Sequence, residues 1–389
     1  MINIILLGLT SLFTDISSEM IYPLVPIYLV NRLGATPAIV GLIEGMAESL
    51  ASLLKVFSGY YSDRFQSRKA PAIGGYGLSA LAKILIVFST SWTWVLWGRI
   101  GDRFGKGVRT APRDALIAES SPGDRLGWAY GLHRMLDTLG AAAGVVLAYY
   151  FFTSYHGSYH TVFAWSLVPA FLGVGILFLV KETGEKSSKI GKKLDLSWSG
   201  LDSRLKKFLV VVFIFALGNS SNQFLLLRAH DLGFNTPDVI LLYLAFNLVY
   251  AVVSFPAGAL SDRIGRRVLL VAGYVFYGLV YLGFALVQRG QFLWVLFPLY
   301  GVYNAVTEGV EKALVAEIAP PEQKATLIGL HATLVGVGLL PASLLGGALW
   351  NFFGAPATFY FGGIMGLLAA LGVAVVLSGE KPALRQGRV

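Results

Sequence analysis

Apolar residues run in blocks of about twenty along nearly the whole chain, parted by short polar breaks. Twenty residues wound as a helix rise about 30 Å, the thickness of a bilayer's hydrocarbon core. Twelve such blocks can be marked, at roughly 5–30, 38–61, 71–90, 93–117, 127–152, 160–180, 206–228, 238–259, 268–287, 292–316, 326–350 and 357–378. They are glycine-rich and strandless, so they predict an all-α membrane protein of twelve transmembrane helices, not an outer-membrane barrel. Residues 181–207 form the only long polar stretch, between the sixth and seventh spans. They predict a linker joining an N-terminal six-helix bundle (1–180) to a C-terminal one (208–389).

The polar breaks repeat. Gly59-Tyr-Tyr-Ser-Asp63-Arg64-Phe-Gln-Ser-Arg68-Lys69 returns as Gly258-Ala-Leu-Ser-Asp262-Arg263-Ile-Gly-Arg266-Arg267. Ala118-Glu119-Ser-Ser-Pro122, followed by Gly131-Leu132-His133, returns as Ala316-Glu317-Ile-Ala-Pro320, followed by Gly329-Leu330-His331. A weaker third match joins Asp15-Ile-Ser-Ser-Glu19 to Gly218-Asn219-Ser-Ser-Asn222. The chain therefore reads as two copies of one membrane-embedded unit, an arrangement that serves carriers which alternate access about a central site.

Composition agrees with this reading: 55% hydrophobic, 14% charged, mean hydropathy +0.66, against about 25% charge in a typical soluble chain. The lysines and arginines sort to one side. With the N-terminus inside, the cytoplasmic loops hold Arg64, Arg68, Lys69, Arg125, the basic 181–207 segment, Arg263, Arg266 and Arg267. The opposite loops hold little beyond Arg32 and Arg289. The pattern predicts a multi-pass protein of the cytoplasmic (inner) membrane with both termini cytoplasmic. Topology thus accounts for the net charge of +9 without nucleic acid. The first block lacks a basic leader and carries Asp15 and Glu19, so it is expected to be a retained helix and not a signal peptide. The absence of cysteine excludes disulfides and thiol–metal sites.

Twelve spans, a 6+6 repeat and the loop motif together resemble the major facilitator superfamily, over the whole chain. The family's motif reads Gly-x-x-x-Asp-Arg-x-Gly-Arg-Arg/Lys, and both copies match it except that Gln66 stands for the second glycine in the first. The resemblance implies that Asp63, Arg64, Asp262 and Arg263 latch the halves together on the cytoplasmic side, with Glu119 and Glu317 in a second hinge. It also implies that spans one, four, seven and ten line the central cavity.

Charged residues inside a membrane are costly, so each is a functional candidate. Span four carries Arg99, Asp102, Arg103, Lys106, Arg109, Arg113 and Asp114, spaced three and four apart and mostly on one stripe. Span one offers Asp15, Ser18, Glu19 and Tyr22, span two Glu44, Glu48 and Lys55, and span five His133, Arg134 and Asp137. The near balance of acids and bases favours an ion-pair network. The C-terminal half is drier, with Asn219, Ser220, Asn222, Gln223 and Arg228 in span seven. Span ten adds Tyr300, Tyr303, Asn304, Thr307, Glu308, Glu311 and Lys312.

These residues lead to a division of labour. Asp15, Glu19, Glu44 and Glu48, two i,i+4 acid pairs, are the expected proton carriers. Arg103 joins them because Arg103-Phe-Gly105-Lys-Gly107 resembles the span-four motif of proton-coupled members, with Arg99 as a rival. Tyr22, Arg99, Arg103, Lys106, Asn219, Asn222, Tyr303, Asn304 and Glu308 are the expected solute contacts. His133 and His331 read as a pH-sensitive gate, a metal site with Glu119 and Glu317, or structural histidines, and are grouped with the gate. Gly140-Ala-Ala-Ala-Gly144-Val keeps the spaced glycines of the family's antiporter motif but lacks its proline and glycine pair, which leaves the direction of transport open.

The function expected is secondary active transport of a small organic solute, amphipathic or anionic, coupled to protons and directed outward. Uptake of an organic anion and export of a cation or metal ion are the alternatives. A lipid-modifying enzyme around Arg109-Thr-Ala-Pro-Arg113-Asp114 is remote, because no nucleophile–base pair or metal cluster accompanies it. No Gly-x-x-x-x-Gly-Lys-Ser/Thr loop is present to support an ATP-driven pump. No cofactor or resident metal is expected, the partners are solute, protons and lipid, and the chain is expected to act as a monomer.

Overall fold

The computed structural model describes residues 2–65, 68–121, 126–182, 201–319 and 324–377. Among the described residues there are fourteen α-helices and no strand. They are α1 (Ile2–Ile21), α2 (Val25–Asn31), α3 (Pro37–Phe65), α4 (Lys69–Val87), α5 (Trp92–Glu119), α6 (Leu126–Ser154) and α7 (Tyr159–Leu179). There follow α8 (Ser203–Gly218), α9 (Gln223–Asp231), α10 (Thr236–Ile264), α11 (Arg266–Leu286), α12 (Leu293–Ile318), α13 (Lys324–Phe353) and α14 (Ala355–Val376).

Two of the twelve expected spans are broken helices. Pro23 and Pro26 interrupt the first: Pro23 has no N–H to continue α1, and Pro26 sits in the first turn of α2, where a missing N–H costs nothing. The seventh breaks at Asn219-Ser-Ser-Asn222, short polar side chains that favour turns and caps over helix interiors. The second pieces, α2 and α9, begin 198 residues apart. That offset also separates Arg68 from Arg266 and Glu119 from Glu317, and it is the register of the repeat. It corrects the third sequence match, which pairs Asp15–Glu19 with Gly218–Asn222 five residues out of step. Shared serines produced that match, whereas the helix breaks set the true alignment.

Among the described residues ten segments, each broken span counted once, are long and apolar enough to cross a membrane. The two that fall short are α5 and α12, the fourth and tenth passes, because polar and charged residues interrupt them. Rows of exposed apolar side chains, such as Leu81, Leu139, Phe178, Val252, Leu279 and Leu371, present the lipid-facing surface of a multi-pass membrane protein.

The helices group into two compact units, Met1–Lys193 with Ser221–Leu244, and Leu194–Ser220 with Ala245–Val389. In the first, α5 packs between α3 and α4, while α1 packs on α6 and α7. Glycines permit the approach: a Cβ on Gly75 would lie 2.6 Å from the Gly105 carbonyl oxygen, and one on Gly107 would lie 2.9 Å from that of Ala51. The same unit includes α9, which lies against α2 and α3. In the second, α11 packs on α14 and α12, and α8 on α13 and α14. Gly265, at φ +92°, turns the chain between α10 and α11, a backbone that favours glycine and explains the glycine of the second loop motif. Its counterpart Gln66 lies outside the described residues.

Candidate functional site

The charges of α5 are matched turn by turn. The Arg99 guanidinium, 2% exposed, donates from Nε to Glu44 Oε1 (2.7 Å) and from Nη2 to Glu44 Oε2 (2.8 Å), and Glu44 is fully buried. Asp102 Oδ2 lies 3.7 Å from Arg99 Nη1. One turn on, Arg103 Nε pairs with Glu48 Oε1 at 2.8 Å. Both ion pairs join residues 55 apart, as two helices side by side in constant register require. Arg109 donates to Ser79 Oγ (2.6 Å) and lies 4.3 Å over the ring of Tyr76, while Ser79 Oγ donates to the Asp102 carbonyl (2.8 Å). Buried Lys83 donates to Ser17 (2.7 Å) and Ser18 (3.0 Å) on α1. The expected ion-pair network is therefore present. The fork-to-fork pair of Arg99 with Glu44 fixes geometry as well as neutralises charge.

Against this network a few groups stand apart. Half-buried Lys106 makes no side-chain hydrogen bond or ion pair among the described residues; Asp15 and Glu48 are the opposite charges around it. Asp15 has Asp137 of α6 as its neighbouring acid, one helical turn beyond the bond between Ser11 Oγ and His133 Nε2 (2.8 Å). Glu19 accepts from the Tyr243 hydroxyl (2.9 Å), and Tyr243 packs against Tyr22 with ring centroids 5.4 Å apart. The Arg99 guanidinium lies 5.7 Å from the Tyr22 ring centre.

The second unit is filled differently. Phe215, Tyr274, Tyr277, Tyr281, Tyr300 and Tyr303 form a continuous aromatic cluster, with centroid separations from 4.2 Å (Tyr277–Tyr281) to 6.2 Å (Phe215–Tyr303). Asn219 Nδ2 donates to the Tyr303 hydroxyl at 3.4 Å. Half-buried Asn304 follows on α12. Exposed Glu308 accepts from Tyr250 (2.6 Å) and Lys312 (2.9 Å). Asn222 stands at the N-cap position of α9 in the first unit, without a side-chain capping bond.

Of the expected gating residues, Glu119 pairs with Arg68 (3.1 Å) and Glu317 with Arg266, each over 51 residues, so the repeat extends to its ion pairs. Glu182 adds an acceptor for the backbone N–H of Arg68 (2.7 Å) and Lys69 (3.0 Å). His133 bonds Ser11, and His331 bonds Glu311 (3.1 Å), so neither histidine joins Glu119 or Glu317. No metal-ligand cluster occurs among the described residues. Arg263 is exposed, and the side chains of Asp63, Arg64 and Asp262 lie outside the described residues. Sequence reasoning named Asp137 and Glu311 among the intramembrane charges without giving them a role, and it missed Tyr243 and Tyr274. For Tyr274 a signal existed, since it repeats Tyr76 in register.

Repeated membrane-spanning units with charge concentrated on the fourth pass fit a transporter, and the comparisons agree. The chain belongs to the major facilitator superfamily, whose model matches residues 7–226 and 208–388. It is 38% identical to an uncharacterised MFS-type transporter of Methanocaldococcus jannaschii, over 95% of this chain and 93% of that one. It is 26% identical to the quinolone resistance protein NorA of Staphylococcus aureus, over 40% of each chain. Among solved structures it shares the fold of the nucleoside transporter NupG (TM-score 0.81, 12% identity, 96% and 99% covered). It shares it also with a D-xylose–proton symporter (TM-score 0.77, 17% identity, 95% and 96% covered).

Proposed function

We propose that the protein is a proton-coupled exporter of a small amphipathic or anionic organic solute, working by alternating access. The observation that carries this reading is the selective tethering of charge in the first unit. Arg99 and Arg103 are committed to Glu44 and Glu48, while among the described residues Lys106 stays untethered beside Asp15 and Glu19 is bonded only through a tyrosine hydroxyl. An untethered ammonium recognises an anionic group, and the tyrosines Tyr22 and Tyr243 offer apolar faces to the rest of a solute. Asp15 and Glu19 are then the proton carriers, with Glu44 and Glu48 holding the arginines in place. In the second unit Asn219, Tyr303, Asn304 and Glu308 are the candidate solute contacts. Outward direction is supported by the partial similarity to a quinolone resistance protein.

Reconstitution into liposomes with an imposed pH difference tests the proposal, using a fluoroquinolone, an anionic carboxylated dye and ethidium as probes. Each pH unit is worth about 1.4 kcal/mol per proton, enough for roughly tenfold accumulation. Exchange export predicts that the quinolone or the anionic dye accumulates when the lumen is acid, and that Lys106→Gln abolishes it. Accumulation only with an alkaline lumen establishes uptake with protons instead. Accumulation of ethidium alone overturns the solute class, and flux indifferent to the pH difference overturns proton coupling.

A further inference from the structure

The second unit contains a buried titratable cluster that the scheme above leaves idle. On α12 Glu311 is 8% exposed, and its Oε1 accepts from the hydroxyl of fully buried Tyr274 on α11 (2.8 Å). Its Oε2 lies 3.1 Å from His331 Nε2 on α13, and His331 is 3% exposed. The other ring nitrogen, Nδ1, is buried and has no hydrogen-bond partner among the described residues. No lysine or arginine pairs with Glu311 among the described residues.

The repeat register shows what is unusual here. Tyr274, Glu311 and His331 stand where the first unit has Tyr76, Arg113 and His133. There His133 Nε2 and the Tyr76 hydroxyl share Ser11 Oγ, at 2.8 and 3.2 Å, and Arg113 Nη1 approaches the same oxygen at 3.4 Å. That cluster holds a guanidinium, which never gives up its proton. The second has a carboxylate bonded to an imidazole, two groups that exchange protons. With Nε2–H donated to Glu311 and Nδ1 bare, the cluster carries one net negative charge. A proton from water forms an N–H bond at Nδ1 and makes it neutral, an imidazolium against a carboxylate.

We infer that His331 and Glu311, steadied by Tyr274, form a proton-binding site in the second unit, loaded and emptied as one group. The inference rests on the proton-coupled reading above and extends it beyond the first unit, where all its carriers lie. The surroundings suit it. On α12 the neighbouring titratable groups are Tyr303 and the mutually paired Glu308 and Lys312. From α11 come Tyr274 and Tyr277. Phe215 of α8 stacks on Tyr274 at 4.3 Å, and the basic residues of α8, Arg204, Lys206 and Lys207, lie at its start. Packed on α13, α14 carries Tyr360 near its own start. Also on α11, Arg266 donates to the Ala313 carbonyl and to Glu317, and among the described residues no lysine or arginine pairs with the Glu311 carboxylate.

The test uses full-length protein in lipid nanodiscs with 15N-labelled histidine, and reads the ring nitrogens of its five histidines by NMR. His331→Asn assigns the signal. Lowering the pH should protonate the His331 ring, and Glu311→Gln should displace that change by more than tenfold in proton concentration while leaving His133 unmoved. Tyr274→Phe, which keeps the ring and the ion pair, should displace it by less. A His331 ring in one state throughout, or a midpoint indifferent to Glu311→Gln, overturns the site. The liposome assay separates the two readings. Proton-driven flux with an inert His331 sinks this inference alone, whereas a titrating His331 without proton-driven flux supports the site and sinks the function.

Discussion

Set in register, the two units differ at the same positions of the same scaffold. Lys83 is answered by Tyr281, Arg99 by Phe297, Asp102 by Tyr300 and Ser17 by Phe215. What stays constant is the frame: the Arg68–Glu119 and Arg266–Glu317 pairs and close-packed glycines at Gly75 and Gly273. Gly75 faces the α5 backbone, and a Cβ on Gly273 would meet the Thr307 methyl at 2.6 Å. The frame therefore does not dictate its filling. One interior is held by ion pairs and the other by aromatic contacts, and the two should fail differently.

The largest contrast is expected at the Arg99 level. Arg99→Met strands the fully buried Glu44 carboxylate and should cost about 3–5 kcal/mol, read as a loss of thermal stability in detergent. Adding Glu44→Met should restore more than half of it, whereas Phe297→Leu in the second unit should cost under about 1.5 kcal/mol. Equal losses at Arg99 and Phe297 would erase the distinction. A step smaller, Ser79→Ala removes an acceptor from Arg109 and should cost about 1–3 kcal/mol. Tyr277→Phe at the matching position loses only a 3.1 Å bond to the Gly218 carbonyl, about 0.6 kcal/mol. The smallest effects test the frame. Arg68→Gln and Arg266→Gln break partly exposed pairs, so each should cost below about 1 kcal/mol and the two should agree within about 0.5. A large difference between them would show that the frame is not shared after all.

Much of this was legible in the chain. The spans, the repeat and the charged fourth pass follow from hydropathy and spacing, because a bilayer punishes polar backbone and charge so heavily that pattern is nearly sufficient. The partners of the charges were not legible. Arg99 and Glu44 are 55 residues apart, and only the packing of α3 on α5 brings them together. The i,i+4 spacing of Glu44 and Glu48 was visible and suggested acids crowding one another; the arginines spaced the same way turn it into a ladder. Pro23 and Pro26 announced the break in the first span, yet a hydropathy window runs straight across both. His331 was found through the repeat, but Glu311 and Tyr274 reach it from two other helices, a juxtaposition no spacing rule encodes.

The charge on α5 also bears on how the chain is made. Each lysine, arginine or aspartate placed centrally in a helix costs the insertion machinery about 2.5–3.5 kcal/mol, and α5 carries several within a few turns. Alone, it could not partition into lipid as it leaves the ribosome. Its counterions lie on α3, which is synthesised first, and its serine and tyrosine partners on α4, which comes next. The fourth pass must therefore enter the bilayer against helices already waiting there, and the order of synthesis itself is part of what makes the fold attainable.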